Sequence, residues 1–289
     1  MPDLNTKQAV VLMVLSATII STSGLVVRLL DQANDWQVVF WRGLSLALGV
    51  VAIVIWQNRR KAVQEFTQIG TLGILGGVFL SGALIGYVVS IANTTVANAV
   101  FTMSSAPFVT AIFAWIVLGE QISRATVFSI FVAMSGVGLM VSDGISSGNA
   151  LGNAMALFAV VSASSFMVVL RKGKSINMLP TLSVGAGVSA LVAAIMVGGN
   201  ISVSLFDLVL CLILGGVIAA SGQAMMVAAS RVLTGAELAL LTLIEFILAP
   251  VWVWAFVHEV PSEMTLIGGA VVLLAVGGHA VRGMKAQRT

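Results

Sequence analysis

At 289 residues the chain is 59% hydrophobic and only 9% charged, with a mean hydropathy of +1.09, whereas a soluble domain carries about a quarter charged residues. This excludes an ordinary water-soluble fold, and apolar stretches running almost end to end leave no room for a separate soluble domain. A net charge of +3 would suit nucleic acid, but the placement of the basic residues explains it better, and Cys211, far from His258 and His279, leaves no disulfide, metal or other cofactor site to expect.

Hydropathy punctuated by Gly, Pro, Asn and charge clusters predicts membrane-spanning helices at 8–30, 37–57, 70–92, 95–118, 124–142, 151–170, 180–200, 207–230, 234–257 and 264–281. The first run, Gln8 to Leu30, is too long for the apolar core of a signal peptide and leads directly into further spans, so it is expected to be retained. Near its end Arg28 has Asp31 one turn on, the spacing of a local ion pair. In span two Arg42 lies about five residues inside the outer end. It is open to three readings: an anchor for a substrate carboxylate, a clamp on an acidic residue of the first loop, or a side chain snorkelling to the surface.

Tyr87, Ser90 and Asn93 descend one side of span three. Span four holds Asn98 and then Ser104, Ser105 and Pro107, where proline removes an amide donor. The freed carbonyls and the serine hydroxyls could coordinate a ligand's ammonium, or the proline could serve only to kink the bundle, as could Pro250 in span nine. Glu120 ends span four at the start of the next helix, a capping position. Ser162, Ser164 and Ser165 in span six fit helix packing, and Gln223 in span eight and Asn98 are candidates for lining a path.

Span nine carries Glu245 about 11 residues from its start, near the bilayer centre, where a carboxylate costs several kcal/mol unless it meets water, a partner or a proton. Such a group either binds a cation or exchanges a proton during transport, or makes a structural hydrogen bond to a neighbouring helix. Trp252 is deep enough to face the same cavity. Glu259, followed by Pro261 and Ser262, stands at a helix end like Glu120 and reads as a cap, while Trp36, Trp56 and Trp115 fit the interfacial belts.

With both termini placed in the cytoplasm, the inside connections collect Lys7, Arg59, Arg60, Lys61, Arg124, Arg171, Lys172, Lys174, Arg231, Arg282, Lys285 and Arg288, and the outside ones hold no Lys or Arg. The outer loops carry Asp31, Asp35, Asp143, Asp207, Glu259 and Glu263. A missed or extra helix would scramble this asymmetry.

At an offset of 139 residues, Ile74-Leu-Gly-Gly-Val78 superposes on Ile213-Leu-Gly-Gly-Val217, and the register continues without a gap. Thr95 meets Thr234, Ala97 meets Ala236, Trp115 meets Trp254, Glu120 meets Glu259, and Asn98 meets Glu237. Five is an odd number of spans, so the second half enters the membrane from the opposite side. The expected fold is all-α: ten transmembrane helices as two inverted five-helix repeats, 1–146 and 147–289, forming one integral membrane unit.

Ser105-Ala-Pro-Phe108 leading to Leu118-Gly-Glu120, then Glu245 followed by Ala249-Pro250-Val-Trp, His258-Glu259-Val-Pro-Ser262 and Leu266-Ile-Gly-Gly269, resemble the EamA-type members of the drug/metabolite transporter superfamily over nearly the whole chain. The chain departs from that pattern in having His258 where Gly is common, and a proline five residues after Glu245 instead of directly after it. The resemblance implies export of amino acids, related metabolites or toxic compounds.

The expected function is therefore a secondary transporter exporting small metabolites such as amino acids or amines by alternating access, with proton coupling through Glu245 open. It would act as a monomer or weak homo-oligomer in the lipid bilayer of a bacterial-type inner membrane, with no cofactor and no nucleic-acid partner. A multidrug exporter is the alternative. No phosphate-binding Gly-rich loop with its Lys-Ser/Thr ending appears, so ATP drive is not expected. An intramembrane enzyme would need clustered acid, base or metal ligands at one membrane face, and the histidines lie on opposite sides. A channel would not need an inverted repeat around a deep carboxylate.

Overall fold

Backbone polar groups in hydrocarbon find partners only within a helix or a closed barrel, and the computed structural model takes the first solution: the described residues contain helices, turns and irregular connections, and no strand. They comprise 5–58, 62–119, 124–146, 149–173, 177–229, 232–233 and 235–288. Arg59, Arg60, Lys61, Glu120, Lys174 and Arg231, all named above, lie outside them, as do the side chains of Asp143, Glu237, His279, Arg282, Lys285 and Arg288.

In chain order the helices are α1 (Thr6–Ser21), α2 (Ser23–Arg28), α3 (Asp35–Asn58), α4 (Ala62–Gln68), α5 (Gly70–Asn93), α6 (Val96–Met103), α7 (Ala106–Leu118), α8 (Arg124–Ser146), α9 (Ala150–Lys172), α10 (Leu179–Met196) and α11 (Leu205–Leu212). A π-helical stretch, Ile213–Ala219, joins α11 to α12 (Ala220–Ala229), and α13 (Gly235–Val257) and α14 (Glu263–Arg288) complete the chain. Seven helical runs are long and apolar enough to cross a membrane: Thr6–Arg28, Asp35–Gln57, Gly70–Asn93, Val96–Leu118, Ala150–Lys172, Leu179–Met196 and Leu205–Ala229. Three further apolar helical segments, Val127–Leu139, Leu241–Val257 and Glu263–Gly278, are shorter among the described residues. The protein is a multi-pass, all-helical membrane protein.

Local chemistry sets the helix ends. Asn5 and Gln8 exchange side chain to backbone hydrogen bonds in a capping box at α1. The Thr95 hydroxyl accepts from the Asn98 amide to start α6, and Ser204 accepts from the Asp207 amide to start α11. α7 stops at Gly119, whose φ of 68° is the left-handed C-cap that glycine adopts without a Cβ clash.

Three of the predicted spans are not uniform helices. The first breaks at Thr22, where the hydroxyls of Thr18, Ser21 and Thr22 donate back to the carbonyls of Val14, Thr18 and Ile19, competing with the helical ladder. The fourth breaks between α6 and α7, and Pro107 falls in the first turn of α7, where its missing N–H costs nothing. The eighth contains the π-helical stretch. Pro250, by contrast, lies inside α13 without ending it.

Small residues decide how closely the helices meet, since apolar side chains gain nothing by leaving lipid. α5 packs on α9 and α10, α10 on α3, α8 on α14, and α1 on α12 and α13. A Cβ on Gly77 would fall 2.7 Å from Val184 of α10, and one on Gly86 2.8 Å from the Met155 carbonyl of α9. Gly215, in the π-helical stretch, lies against the backbone carbonyl of Arg42 and the Ser45 hydroxyl on α3. One apolar cluster around Val38, Val88, Ile91, Val100, Leu214 and Val253 draws on both halves of the sequence.

Candidate functional site

An arginine inside an apolar helix must turn away from lipid, and Arg42, in the first third of α3, does so. Only 7% of it is exposed, so it does not snorkel to the surface, and its Nε has no hydrogen-bond acceptor. Its guanidinium lies over the Tyr87 ring of α5, Cζ 5.1 Å from the ring centroid, within cation–π range. No carboxylate pairs with it among the described residues. The main chain beside it is tightly held: the Ser45 hydroxyl lies 3.1 Å from the Arg42 carbonyl and 3.2 Å from that of Cys211, between α3 and the turn leading into the π-helix.

Glu245 sits half-buried near the middle of α13. Its charge and that of Arg42 both act on the Tyr87 hydroxyl, and the Ser23 side chain is within hydrogen-bonding reach of the same hydroxyl. The stacked Arg42–Tyr87 pair comes from α3 and α5, and Glu245 from the second half of the chain. Two turns along α13, the Trp252 indole donates to the Ser21 hydroxyl at 2.9 Å, at the break between α1 and α2. Pro250 has no amide to offer the Phe246 carbonyl, one residue from Glu245.

Farther along, at the end of the bundle away from Thr6, the loops are tied by polar contacts. Arg28 pairs with Glu259, Nε to Oε2 at 2.7 Å, and not with Asp31: a partner brought in by tertiary packing displaces the local one. The other Glu259 oxygen accepts from the Val96 amide at 2.7 Å, so this glutamate caps α6 and not the helix that follows it in sequence. Arg28 also donates to the Thr94 carbonyl. Asp207, fully buried, accepts from the backbone amides of Asp31, Gln32 and Ala33 at 3.0 Å each. Gln37 and Trp41 of α3 donate to the carbonyls of Asn200, Ser202 and Ile201. A cavity of about 190 Å³ opens beneath this layer, lined by Val27, Arg28, Leu30, Ala33, Asp35, Val38, Val88 and Ala92.

The remaining candidates are placed elsewhere. Asn98 is 3% exposed, its amide donating to Thr94 and Asn153, so it joins α6 to α9. Ser104 and Ser105 are buried and donate to the carbonyls of Phe101 and Thr102 in their own helix, and the Ala106 carbonyl is met by Ser164 of α9. Gln223 is half-buried on α12. The Ser21-Thr22-Ser23 break and the π-helix are features that sequence reasoning passed over; a run of three hydroxyl residues inside an apolar span was the available signal for the first.

Residues 7–142 match the EamA-like transporter family. The mouse solute carrier family 35 member G1 is 27% identical over 285 residues, covering 93% of this chain and 77% of its own length, and the human protein is likewise 27% identical. The pseudopaline exporter CntI of Pseudomonas aeruginosa is 24% identical over 245 residues, covering 83% of this chain and 84% of its own. A crystal structure of a protein 14% identical in sequence superposes with a TM-score of 0.68 over 96% of this chain and 100% of that one, which establishes likeness of fold. A multi-pass helical chain whose residues 7–142 match the EamA-like transporter family is thus similar, over 83% to 93% of its length, to a solute carrier and to a pseudopaline exporter.

Proposed function

We propose that this protein is a secondary exporter of amino-acid-like or amine metabolites, working by alternating access between two inverted five-helix repeats, 1–146 and 147–289. In this reading the three shorter apolar segments cross the membrane with the seven longer ones. The packing supports it: exchanging the halves carries α5 on α9 into α12 on α1, α5 on α10 into the π-helix on α3, and α7 on α9 into α13 on α1. The glycines agree, since Gly76 and Gly77 approach Thr181 and Val184 while Gly215 and Gly216 approach Arg42 and Ser45, each pair of partners again 139 apart. Two such halves can rock about a midplane site.

The observation that carries the proposal is Glu245, a half-buried carboxylate deep in an apolar helix, in a bundle that also buries the Arg42 guanidinium. Such a pair is costly in a bundle that has only to be stable. The gathering of basic residues in alternate connections supports a cytoplasmic location for both termini in a bacterial-type inner membrane, and the exporter among the relatives supports outward flux. No oligomeric partner is needed for the site, so a monomer or weak homo-oligomer suffices. The test is flux in proteoliposomes with an imposed pH gradient, using amino acids and amines. Wild-type protein should move at least one of these solutes and Glu245→Gln should not; equal flux in both would remove Glu245 from the mechanism.

A further inference from the structure

The polar ties between the two halves are not shared evenly by the two ends of the bundle. At the end away from Thr6, Arg28 pairs with Glu259 at 2.7 Å and donates to the Thr94 carbonyl, while Glu259 accepts from the Val96 amide and Asp207 from three amides of the 31–33 turn. The positions 139 residues away hold nothing that repeats the ion pair: Met167 stands for Arg28 and Gln68 for Asp207. The turn that presents the glutamate is duplicated, since His258 has a φ of 58° and its equivalent Gly119 a φ of 68°, each a left-handed helix end followed by Glu. The difference between the ends is the arginine. The bonds from Gln37 to Asn200 and Ser202, by contrast, are matched at the other end by Asn177 donating to Glu65 at 3.0 Å, so a tie between the second and seventh spans distinguishes neither end.

Burial follows the same division. From Leu84 to Val89, toward the Arg28 end of α5, every residue except Tyr87 is buried, whereas at the equivalent positions Gln223 to Ala228 of α12, toward the opposite end of the bundle, every residue is half-buried. Val88 is fully buried and lines the cavity that Arg28 also lines, while its equivalent Val227 is half-buried. The bundle is packed more closely at the Arg28 end than at the other.

We infer that Arg28 and Glu259 form a one-sided latch: the pair closes the outer end, holds the carrier at rest open toward the cytoplasm, and must part before cargo can leave. Exchanging the conformations of the two halves closes the inner end with Met167 in the place of Arg28, which offers no ion pair, so the two states differ by the latch. The paired side chains are 23% and 19% exposed, at the water-facing rim, where the pair can open without stranding a charge in hydrocarbon. The inference rests on the alternating-access reading above and adds to it which state is favoured and which residues favour it.

The test places Val88→Cys and Val227→Cys singly in a Cys211→Ser background and labels the purified full chain in lipid nanodiscs with a charged thiol reagent. Position 227 should label faster than position 88. Arg28→Gln or Glu259→Gln should speed labelling at 88 by roughly 5- to 30-fold, the range for one charge-assisted pair, without speeding it at 227, and Arg28→Lys should retain part of the protection. A fold merely loosened by the substitutions would speed both. Because salt screens a pair at the rim, raising ionic strength from about 0.05 to about 0.5 M should speed position 88 when Arg28 and Glu259 are intact and leave it unchanged in Arg28→Gln. Equal labelling at the two positions with the pair intact, an unchanged rate at 88 without Arg28, or acceleration at both positions would each overturn the latch. Flux in proteoliposomes separates the two readings: protein that carries solute while position 88 ignores the latch variants leaves the transport reading standing and overturns the latch, and protein that carries no solute overturns both.

Discussion

Glutamine in place of Glu245 keeps volume and hydrogen bonding while removing the cost of a charge in a low-dielectric interior, so stability and function should separate. Glu245→Gln is expected to melt at or above the wild-type temperature while pH-dependent flux disappears; normal flux with normal pH dependence would make Glu245 structural. Arg42→Ala should impair transport and Arg42→Lys should retain part of it, and Arg28→Ala should affect flux less, because Arg28 already has Glu259 as partner. Glu259→Gln loses both the ion pair and the charge on the α6 cap and should lower stability by about 1 to 3 kcal/mol in thermal denaturation. Arg42 and Glu245 stand out in the sequence because a charge inside an apolar run is rare and must be compensated. The partner of Arg28 does not, because spacing along one helix offered Asp31 while Glu259 arrives only through packing. Asn98, Ser104 and Ser105 find acceptors within the bundle, as hydroxyls and amides in membrane helices often do.

On the scale of elements, the π-helical stretch is where the eighth span meets the second. Gly215→Ala would drive a Cβ into the Arg42 carbonyl and the Ser45 hydroxyl, and should destabilise by about 1 to 3 kcal/mol. Gly187→Ala on α10 meets nothing within 4 Å and should leave the melting temperature unchanged or slightly raised. Equal melting temperatures for the two variants would mean that the close approach at Gly215 is not maintained in the membrane. The sequence showed the Gly215-Gly216 pair only as a marker of the repeat. An extra residue in a helical turn leaves no trace in hydropathy, which depends on the residues a span contains and not on how they are wound. Span positions were legible for the reason that breaks were not: hydrophobic length reports on the bilayer, whereas a break at Thr22 depends on which carbonyl a hydroxyl selects.

For the whole molecule, orientation can be read with single cysteines in a Cys211→Ser background, Cys211 being a buried free thiol. With both termini inside, Arg60→Cys should resist an impermeant thiol reagent in sealed cells and Asp143→Cys should react; modification at position 60 would reverse the topology. The proposed repeat rests on matched Trp and Glu at one offset, which are hard to obtain by chance from a composition of Ala, Gly and Val. How the halves interlock was not legible, as it depends on small-residue contacts that composition supplies everywhere.

The clasp of Arg28 on Glu259 and the bond from Trp252 to Ser21 each join residues 231 positions apart, and Ser16 donates to the Gly222 carbonyl across 206. During synthesis, at about 5 to 20 residues per second, the first helix inserted must wait on the order of 10 to 50 s for the segments that receive its polar groups. Until then Ser16, Ser21 and Arg28 face lipid, the insertion machinery or one another. A nascent chain halted after residue 146 should therefore be cleared by membrane proteases faster than the complete protein, and co-expression of residues 147–289 as a separate chain should restore its lifetime in a pulse-chase measurement.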